Sequence, residues 1–262
     1  MEITFLGTCS GTEPMPDRKH TSFVVQHRGG VYWFDAGEGC SYTARLAGID
    51  LFAIQSIFIS HVHIDHVGGL ANLIWTMQKL EGRNEDSWRS LAGRTIPVLI
   101  PNLNVWTGVL EVVAGPSASF DPDFTLDADT YIDGVIYDRN GLKVTALHNR
   151  HLGEPDGAKP WQSFSFRIEA EDRVLVSSGD AADVSELEPL LDGCDLFIME
   201  TGHHKVEDVC AYLKEAPVKI GKLGFFHHGR AILADPDGEL RKAREILGDG
   251  VFIADDGMSV EV

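Results

Sequence analysis

Apolar residues gather in short β-type runs separated by polar ones through the first third of the chain, at residues 3–6, 22–27 and 31–34, and Arg28-Gly29-Gly30 reads as a hairpin turn between the last two. The chain therefore opens as a sheet. The run 56–60 (SIFIS) is apolar enough for a buried strand, whereas Val67, Leu70, Leu73, Ile74, Met77 and Leu80 recur at helical spacing until Gly82. Residues 81–95 are polar, carry Trp88, and predict a helix-and-loop excursion before a strand at 97–100. The Gly-, Pro- and Asp-rich stretch 115–134 predicts a surface loop. Strand patterns resume at 142–147, 163–168, 173–177, 195–199 and 222–226, helical ones at 206–213 and 238–247, and a last pair of strands is expected at 251–254 and 258–261. Without a repeat, a low-complexity tract or a linker, this pattern predicts one α/β domain over residues 1–262.

Ligand-type side chains concentrate where the strand 56–60 passes into a helix, in SHVHIDHVGGL (residues 60–70). His61 and His63 are two apart, so an extended backbone points both to one side, while Asp65 and His66 fall where the chain turns into the helix and a second direction opens. Such a run can feed two adjacent metals, because zinc and similar ions require imidazole nitrogens and carboxylate oxygens that converge at about 2.0–2.2 Å. A merely histidine-rich surface loop would not predict further ligand types at the ends of later strands. They are there: His148 and His151 follow the strand 142–147, Asp180 follows 173–177, and His227 and His228 follow 222–226. Strand exits are where open α/β sheets place their ligand sites.

FLGTCSG, FDAGEG, SHVHIDHVGGL, VSSGDA, FFHHG and the closing ADDGMSVEV follow in an order that resembles the metallo-β-lactamase fold hydrolases over nearly the whole chain. The resemblance implies a four-layer αββα sandwich with the site along one edge of its two sheets. It implies a first metal on His61, His63 and His151, a second on Asp65, His66 and His227, and Asp180 bridging them. His151 is preferred over His148 because it aligns with the family's third histidine. Asp35 in FDAGEG resembles the carboxylate that holds the histidine loop without touching metal. Gly37, Gly39, Gly68 and Gly69 beside that loop would permit close backbone approach. His204 in ETGHHKVEDV resembles the histidine that protonates the leaving group, and Asp65 would serve as both ligand and base. Relatives with a redox di-iron centre carry Glu where His63 stands, and true β-lactamases of this fold carry Cys where Asp180 stands, so neither branch fits.

Two divalent ions lower the pKa of a shared water and polarise a substrate oxygen, so the expected enzyme is a dinuclear hydrolase using a bridging hydroxide, with no protein nucleophile. Zinc is the expected metal; manganese, iron and nickel suit the same ligands. FLGT, GEG and SGD resemble the branch of ribonuclease Z-like tRNA 3′-processing endonucleases and phosphodiesterases, and two metals suit a phosphodiester. Net charge narrows this further. Lys and Arg total 22 against 40 Asp and Glu, a formal charge of −18 that repels nucleic-acid backbones. The Pro-x-Lys-x-Arg-Asn element of the tRNA enzymes is only echoed by Pro16-Asp17-Arg18-Lys19-His20, and their gripping arm has no counterpart of adequate length. The expected substrate is therefore a small phosphodiester, such as a cyclic nucleotide or cyclic sugar phosphate, with Arg18, His228 and Arg230 as candidate contacts. A ribonuclease Z-like endonuclease, an ester, thioester or lactone hydrolase, and a non-catalytic metal-dependent sensor or scaffold are the alternatives.

Four widely spaced cysteines without a CxxC pair predict reduced thiols, and no stretch reaches the roughly 18 apolar residues of a membrane span. With no signal-type N-terminal segment, a cytoplasmic protein is expected, partnered by a small molecule and by neither membrane nor nucleic acid in general; the family resemblance allows a homodimer.

Overall fold

The computed structural model describes residues 1–84, 89–115, 120–157 and 159–262. Trp88 lies outside them. The described strands form two seven-stranded sheets. The first is built from β1 (Glu2–Gly7), β2 (Ser22–His27), β3 (Gly30–Phe34), β4 (Ile54–Phe58), β5 (Thr95–Leu99), β6 (Thr125–Asp129) and β14 (Ser259–Glu261), in the order β14-β1-β2-β3-β4-β5-β6. The second contains β7 (Gly134–Arg139), β8 (Leu142–His148), β9 (Phe164–Ala170), β10 (Arg173–Ser177), β11 (Cys194–Glu200), β12 (Ile220–Phe226) and β13 (Val251–Ile253), in the order β13-β12-β11-β10-β9-β8-β7. Helices α1 (Cys40–Leu46), α2 (Ile64–Val67), α3 (Leu70–Glu81), α4 (Leu103–Ala114), α5 (Glu188–Leu191), α6 (Val206–Glu215), α7 (Arg230–Ala234) and α8 (Pro236–Leu247) complete the described elements, with short 3-10 turns at Leu51–Ala53 and Val184–Leu187.

Strand period decides how the layers stack. Phe23 and Val25 of β2, Tyr32 and Phe34 of β3, and Phe58 of β4 meet Phe166, Ile168, Leu196, Ile198 and Phe226 from the other sheet, forming the core between the sheets. The intervening residues Val24, Val31, Trp33 and Ile57 face outward and pack with Leu70, Leu73, Ile74 and Met77 of α3. On the far side Phe197, Met199, Leu223 and Phe225 pack with Val206, Val209, Cys210 and Leu213 of α6. Because both faces of each central strand are covered, these runs read as continuously apolar, and the result is the expected αββα sandwich.

Three regions differ from the pattern-based expectation. The stretch 115–134 contains β6, whose alternating half-buried residues Leu126 and Ala128 pair beside β5; its acidic composition hides an edge strand. Residues 116–119 of that stretch lie outside the described residues. Helix α4 and strand β7 carry no clear period in the sequence: α4 is apolar nearly all round, and β7 is largely exposed.

β3, β4, β5 and β6 run parallel, as do β10, β11, β12 and β13. β8 is antiparallel to β9, which is antiparallel to β10, so β8 ends at the same edge as β10; the two antiparallel steps through β2 bring the end of β1 level with that of β3. In each sheet, these strand exits lie along one edge. No helix among the described residues is long and apolar enough to cross a membrane, and all four cysteines are free and buried.

Candidate metal centre

The loop after β4 is held from behind. Asp35, directly after β3, accepts from Ser60 N at 2.7 Å, Ser60 Oγ at 2.8 Å and His66 Nδ1 at 2.8 Å. A carboxylate only accepts, so in the neutral ring the His66 Nδ1 carries the proton and Nε2 is turned toward the site. Ser60 Oγ also lies 3.1 Å from His61 Nδ1, orienting the second ring. A close glycine contact lets the loop fold back: a Cβ at Gly69 would stand 2.2 Å from the Gly37 carbonyl oxygen. Asp35 and His227 themselves adopt left-handed backbone, with φ of 52° and 51°, unusual for residues bearing a Cβ.

Seven side chains converge at this edge. One group joins His61, His63, His151 and Asp180, and another joins Asp65, His66 and His227, the ligand atoms of each lying within 4.8 Å of one another. Asp180 faces both. Its Oδ2 is 3.8 Å from His61 Nε2 and 3.6 Å from His151 Nε2, while its Oδ1 is 3.3 Å from both His66 Nε2 and His227 Nε2. His151 Nε2 is 3.1 Å from His63 Nδ1, and His227 Nε2 is 3.2 Å from Asp65 Oδ2. Ligands bound at 2.0–2.2 Å in a tetrahedral arrangement stand roughly 3.3–3.6 Å apart, so this spacing fits metal ions at the centre of each group. The buried atoms His61 Nε2, His66 Nε2 and Asp180 Oδ1 have no hydrogen-bond partner among the described residues, as expected of lone pairs reserved for cations.

Electrostatics give the same picture. Burial opposes protonation of His66 and His227, yet Asp180 outweighs it in both, aided by Asp35 at His66; His66 is held well above the usual histidine range and His227 is pushed up to about 10. Burial also opposes ionisation of Asp65 and Asp180, but the neighbouring histidines hold both below the usual carboxylate range. His61 is depressed by burial and by His66. In the metal-free protein the carboxylates retain protons on the histidines around them; such a cluster is a site built for positive charge.

Several expected residues stand elsewhere. His148 gives its Nδ1 to Asp133 Oδ2 at 2.6 Å and stacks on Trp161 with ring centroids 3.9 Å apart, so His151 and not His148 joins the cluster. His204 stands outside the ligand groups, its Nε2 donating to the Ala181 carbonyl at 2.8 Å and lying 3.5 Å from Glu200 Oε1. Its neighbour His203 takes the position expected of His204: His203 Nδ1 lies 3.8 Å from Asp180 Oδ2 and 3.0 Å from Glu200 Oε1. The Glu200 hydrogen bond holds His203 above its usual range. Burial raises Glu200, but His203 and His227 draw it down to about 2. Glu200 is not among the residues expected above to form the site, although a carboxylate closing the apolar strand DLFIME is itself a signal. His228 is fully buried, with Nε2 on the Ala254 carbonyl at 2.8 Å; burial pushes it down to about 3, and it serves packing, not substrate contact. Arg18 is committed to Thr8 Oγ1 at 2.7 Å, the Ala254 carbonyl at 3.0 Å and Asp255 at 2.6 Å, which removes it from the site. Arg230 does reach the site, at the rim.

The cluster opens into a cavity of about 460 Å³. His63, Asp65, Asp180, His203 and His227 form its floor, and residues 10–13 and Arg230 its walls.

Comparison with known proteins places this geometry in context. Residues 1–218 match the family described as Anti-Pycsar protein Apyc1. The chain is 29% identical to a Ribonuclease Z of Archaeoglobus fulgidus over 303 aligned positions, covering 100% of this chain and 97% of that protein. Among solved structures, the metallo-β-lactamase fold protein YhfI of Bacillus subtilis superposes with a TM-score of 0.74 at 16% identity, covering 99% of each chain. The short form of human tRNase Z superposes with a TM-score of 0.72 at 19% identity, covering 100% of this chain and 99% of that one.

Proposed function

The chain belongs to the Anti-Pycsar protein Apyc1 family and is a metal-dependent hydrolase of the metallo-β-lactamase superfamily, and from that premise we propose that it is a phosphodiesterase acting on a small phosphodiester of the cyclic nucleotide or cyclic sugar phosphate type. The observation that carries this reading is the cavity. At about 460 Å³ it is within the range of small-molecule sites, and Arg230 is its one lysine or arginine among the described lining residues. A polynucleotide substrate would call for a longer cationic track than that, on a chain of formal charge −18.

We assign His61, His63 and His151 to one ion, Asp65, His66 and His227 to the other, and Asp180 to both, with zinc as the expected metal. When bound, the ions supply an activated water and neutralise charge developing on the phosphoryl oxygens. The chain's own residues do the rest. Asp35 and Ser60 fix the imidazoles. Asp65 accepts the proton of the attacking water, and His203, kept protonated by Glu200, donates one to the departing oxygen.

The names of full-length relatives favour a ribonuclease Z reading, and this is the alternative we retain. A turnover panel tests both: cyclic mononucleotides and bis(4-nitrophenyl) phosphate, a tRNA precursor with a 3′ trailer, and aryl esters. Hydrolysis of the small diesters supports the proposal; cleavage of the precursor without small-diester turnover overturns it. Metal analysis accompanies the panel. Fewer than about one ion per chain, unchanged in His61→Ala and Asp180→Ala, would remove the site itself.

A further inference from the structure

At the mouth of the cavity Arg230, the first residue of α7, meets Glu13 through a two-pronged contact, Nη1 to Oε1 at 3.0 Å and Nη2 to Oε2 at 2.6 Å. The segment carrying Glu13 is tied to the strand end that carries His227: Ser10 N and Oγ both donate to the His228 carbonyl, at 3.2 and 2.9 Å. Glu13 and Arg230 both line the cavity. Both partners are well exposed, with side-chain accessibilities of 59% and 69%. Exposed pairs contribute little to stability, so this one is not explained as a fold brace and can exchange partners readily. Hydrogen bonding and charge from Arg230 hold Glu13 below the usual carboxylate range, so it is ionised at neutral pH.

Hydrolysis changes the charge that passes this pair. Water adds across one P–O bond of a diester, one oxygen leaves as a hydroxyl, and the phosphate gains an ionisable oxygen with a pKa of about 6. A singly charged substrate thus becomes a product of nearly twice the charge.

Resting on the phosphodiesterase reading, we infer that Glu13 and Arg230 form a charge filter at the cavity mouth: Arg230 takes a phosphoryl oxygen of the entering monoanionic diester, and Glu13 disfavours the more highly charged monoester and so promotes its release. Arginine suits this task because its fork matches a phosphate as well as it matches the Glu13 carboxylate. The repulsion from Glu13 scales with ligand charge, and across about 6 Å of water it is worth roughly threefold in affinity per unit charge.

The test uses the metal-loaded enzyme, with bis(4-nitrophenyl) phosphate as diester and adenosine 5′-monophosphate as monoester. In Glu13→Gln the KM of the diester should fall about threefold and the inhibition constant of the monoester about tenfold, roughly twice the change on a logarithmic scale. Calorimetric binding of the monophosphate should show the same tenfold gain. Both effects should collapse in about 1 M salt, where the screening length is roughly 3 Å. Arg230→Gln should raise the diester KM several-fold while changing kcat less. Equal changes for the two ligands, changes that persist in high salt, or an unaltered KM in Arg230→Gln would overturn the filter. Failure of the wild-type enzyme to turn over any diester is a separate result, which removes the reading on which the filter rests.

Discussion

Replacing Asp35 by Asn tests how the metal centre is held, since it keeps shape and volume while removing the carboxylate's charge and turning one acceptor oxygen into an N–H donor. Asp35 is 4% exposed and its two oxygens accept three hydrogen bonds, two from Ser60 and one from His66 Nδ1. In the variant one oxygen becomes an NH₂ group. If the remaining oxygen stays on Ser60 N, the NH₂ confronts the Ser60 hydroxyl, which can rotate to accept, and the His66 Nδ1–H, which cannot. His66 must then switch tautomer and carry its proton on Nε2, the atom that faces Asp180 at 3.3 Å and that the metal needs as a lone pair. Loss of the charge-assisted bond and its misplaced neighbour should destabilise the metal-free protein by about 2–3 kcal/mol, measured by urea unfolding in chelator. Metal affinity should fall about 10- to 100-fold, measured by competition with a chromophoric chelator on protein that is still folded. Asp35→Asn with metal affinity within about twofold of the wild type, under conditions where His66→Ala loses metal, would refute the tautomer argument.

Other outcomes follow from the same geometry. His203→Ala should lower kcat about 100-fold or more on diesters with alkoxide leaving groups and far less on nitrophenyl diesters, which leave without a proton, whereas His204→Ala should leave that ratio unchanged; parallel losses on both substrates would dismiss His203 as the acid. Gly202→Ala places a Cβ 2.7 Å from the His227 ring and 3.0 Å from Ser10 Cβ, so it should reduce bound metal while leaving the circular dichroism spectrum intact. For the metal-free protein, His227 and His66 are raised above the ordinary histidine value of about 6.5, so the stability they contribute is complete below that pH and is lost as pH climbs toward about 10. Glu200 is lowered to about 2, so its contribution is present above the usual glutamate value and lost as pH falls toward 2. Melting temperature in chelator should therefore decline from pH 6.5 to 10, and metal should flatten that decline by taking the place of the protons; a rise toward pH 9 in chelator would contradict this.

How much of the site the chain disclosed depends on which physical signal each residue carries. HxHxDH is readable because strand period and helix start dictate its directions; His151, Asp180 and His227 are readable because each follows an apolar strand, and strand exits share an edge. Glu200 carries that same signal, but an acidic residue at a strand end reads by composition as surface. The choice between His203 and His204 had no local signal at all. Both precede α6 in an irregular turn, and the partners each finds tell them apart: the buried Glu200 accepts from His203 Nδ1 at 3.0 Å, with Asp180 Oδ2 3.8 Å from the same atom, while His204 Nε2 donates to the Ala181 carbonyl at 2.8 Å and lies 3.5 Å from Glu200. Arg18 and Arg230 present the same problem in reverse. Both are basic residues beside motif segments, but Arg18 is committed to the turn between β13 and β14 through Ala254 and Asp255, partners separated from it by more than two hundred residues. Arg230 instead meets Glu13 over the cavity. Ligand type and spacing are local properties, so sequence pattern finds them; the direction of a side chain in a turn is fixed by partners brought from elsewhere in the fold. On the phosphodiesterase reading proposed above, the residues so fixed, His203 with Glu200 and Arg230 with Glu13, are those through which this protein would distinguish one phosphodiester from another, because the metal ligands themselves suit any of them.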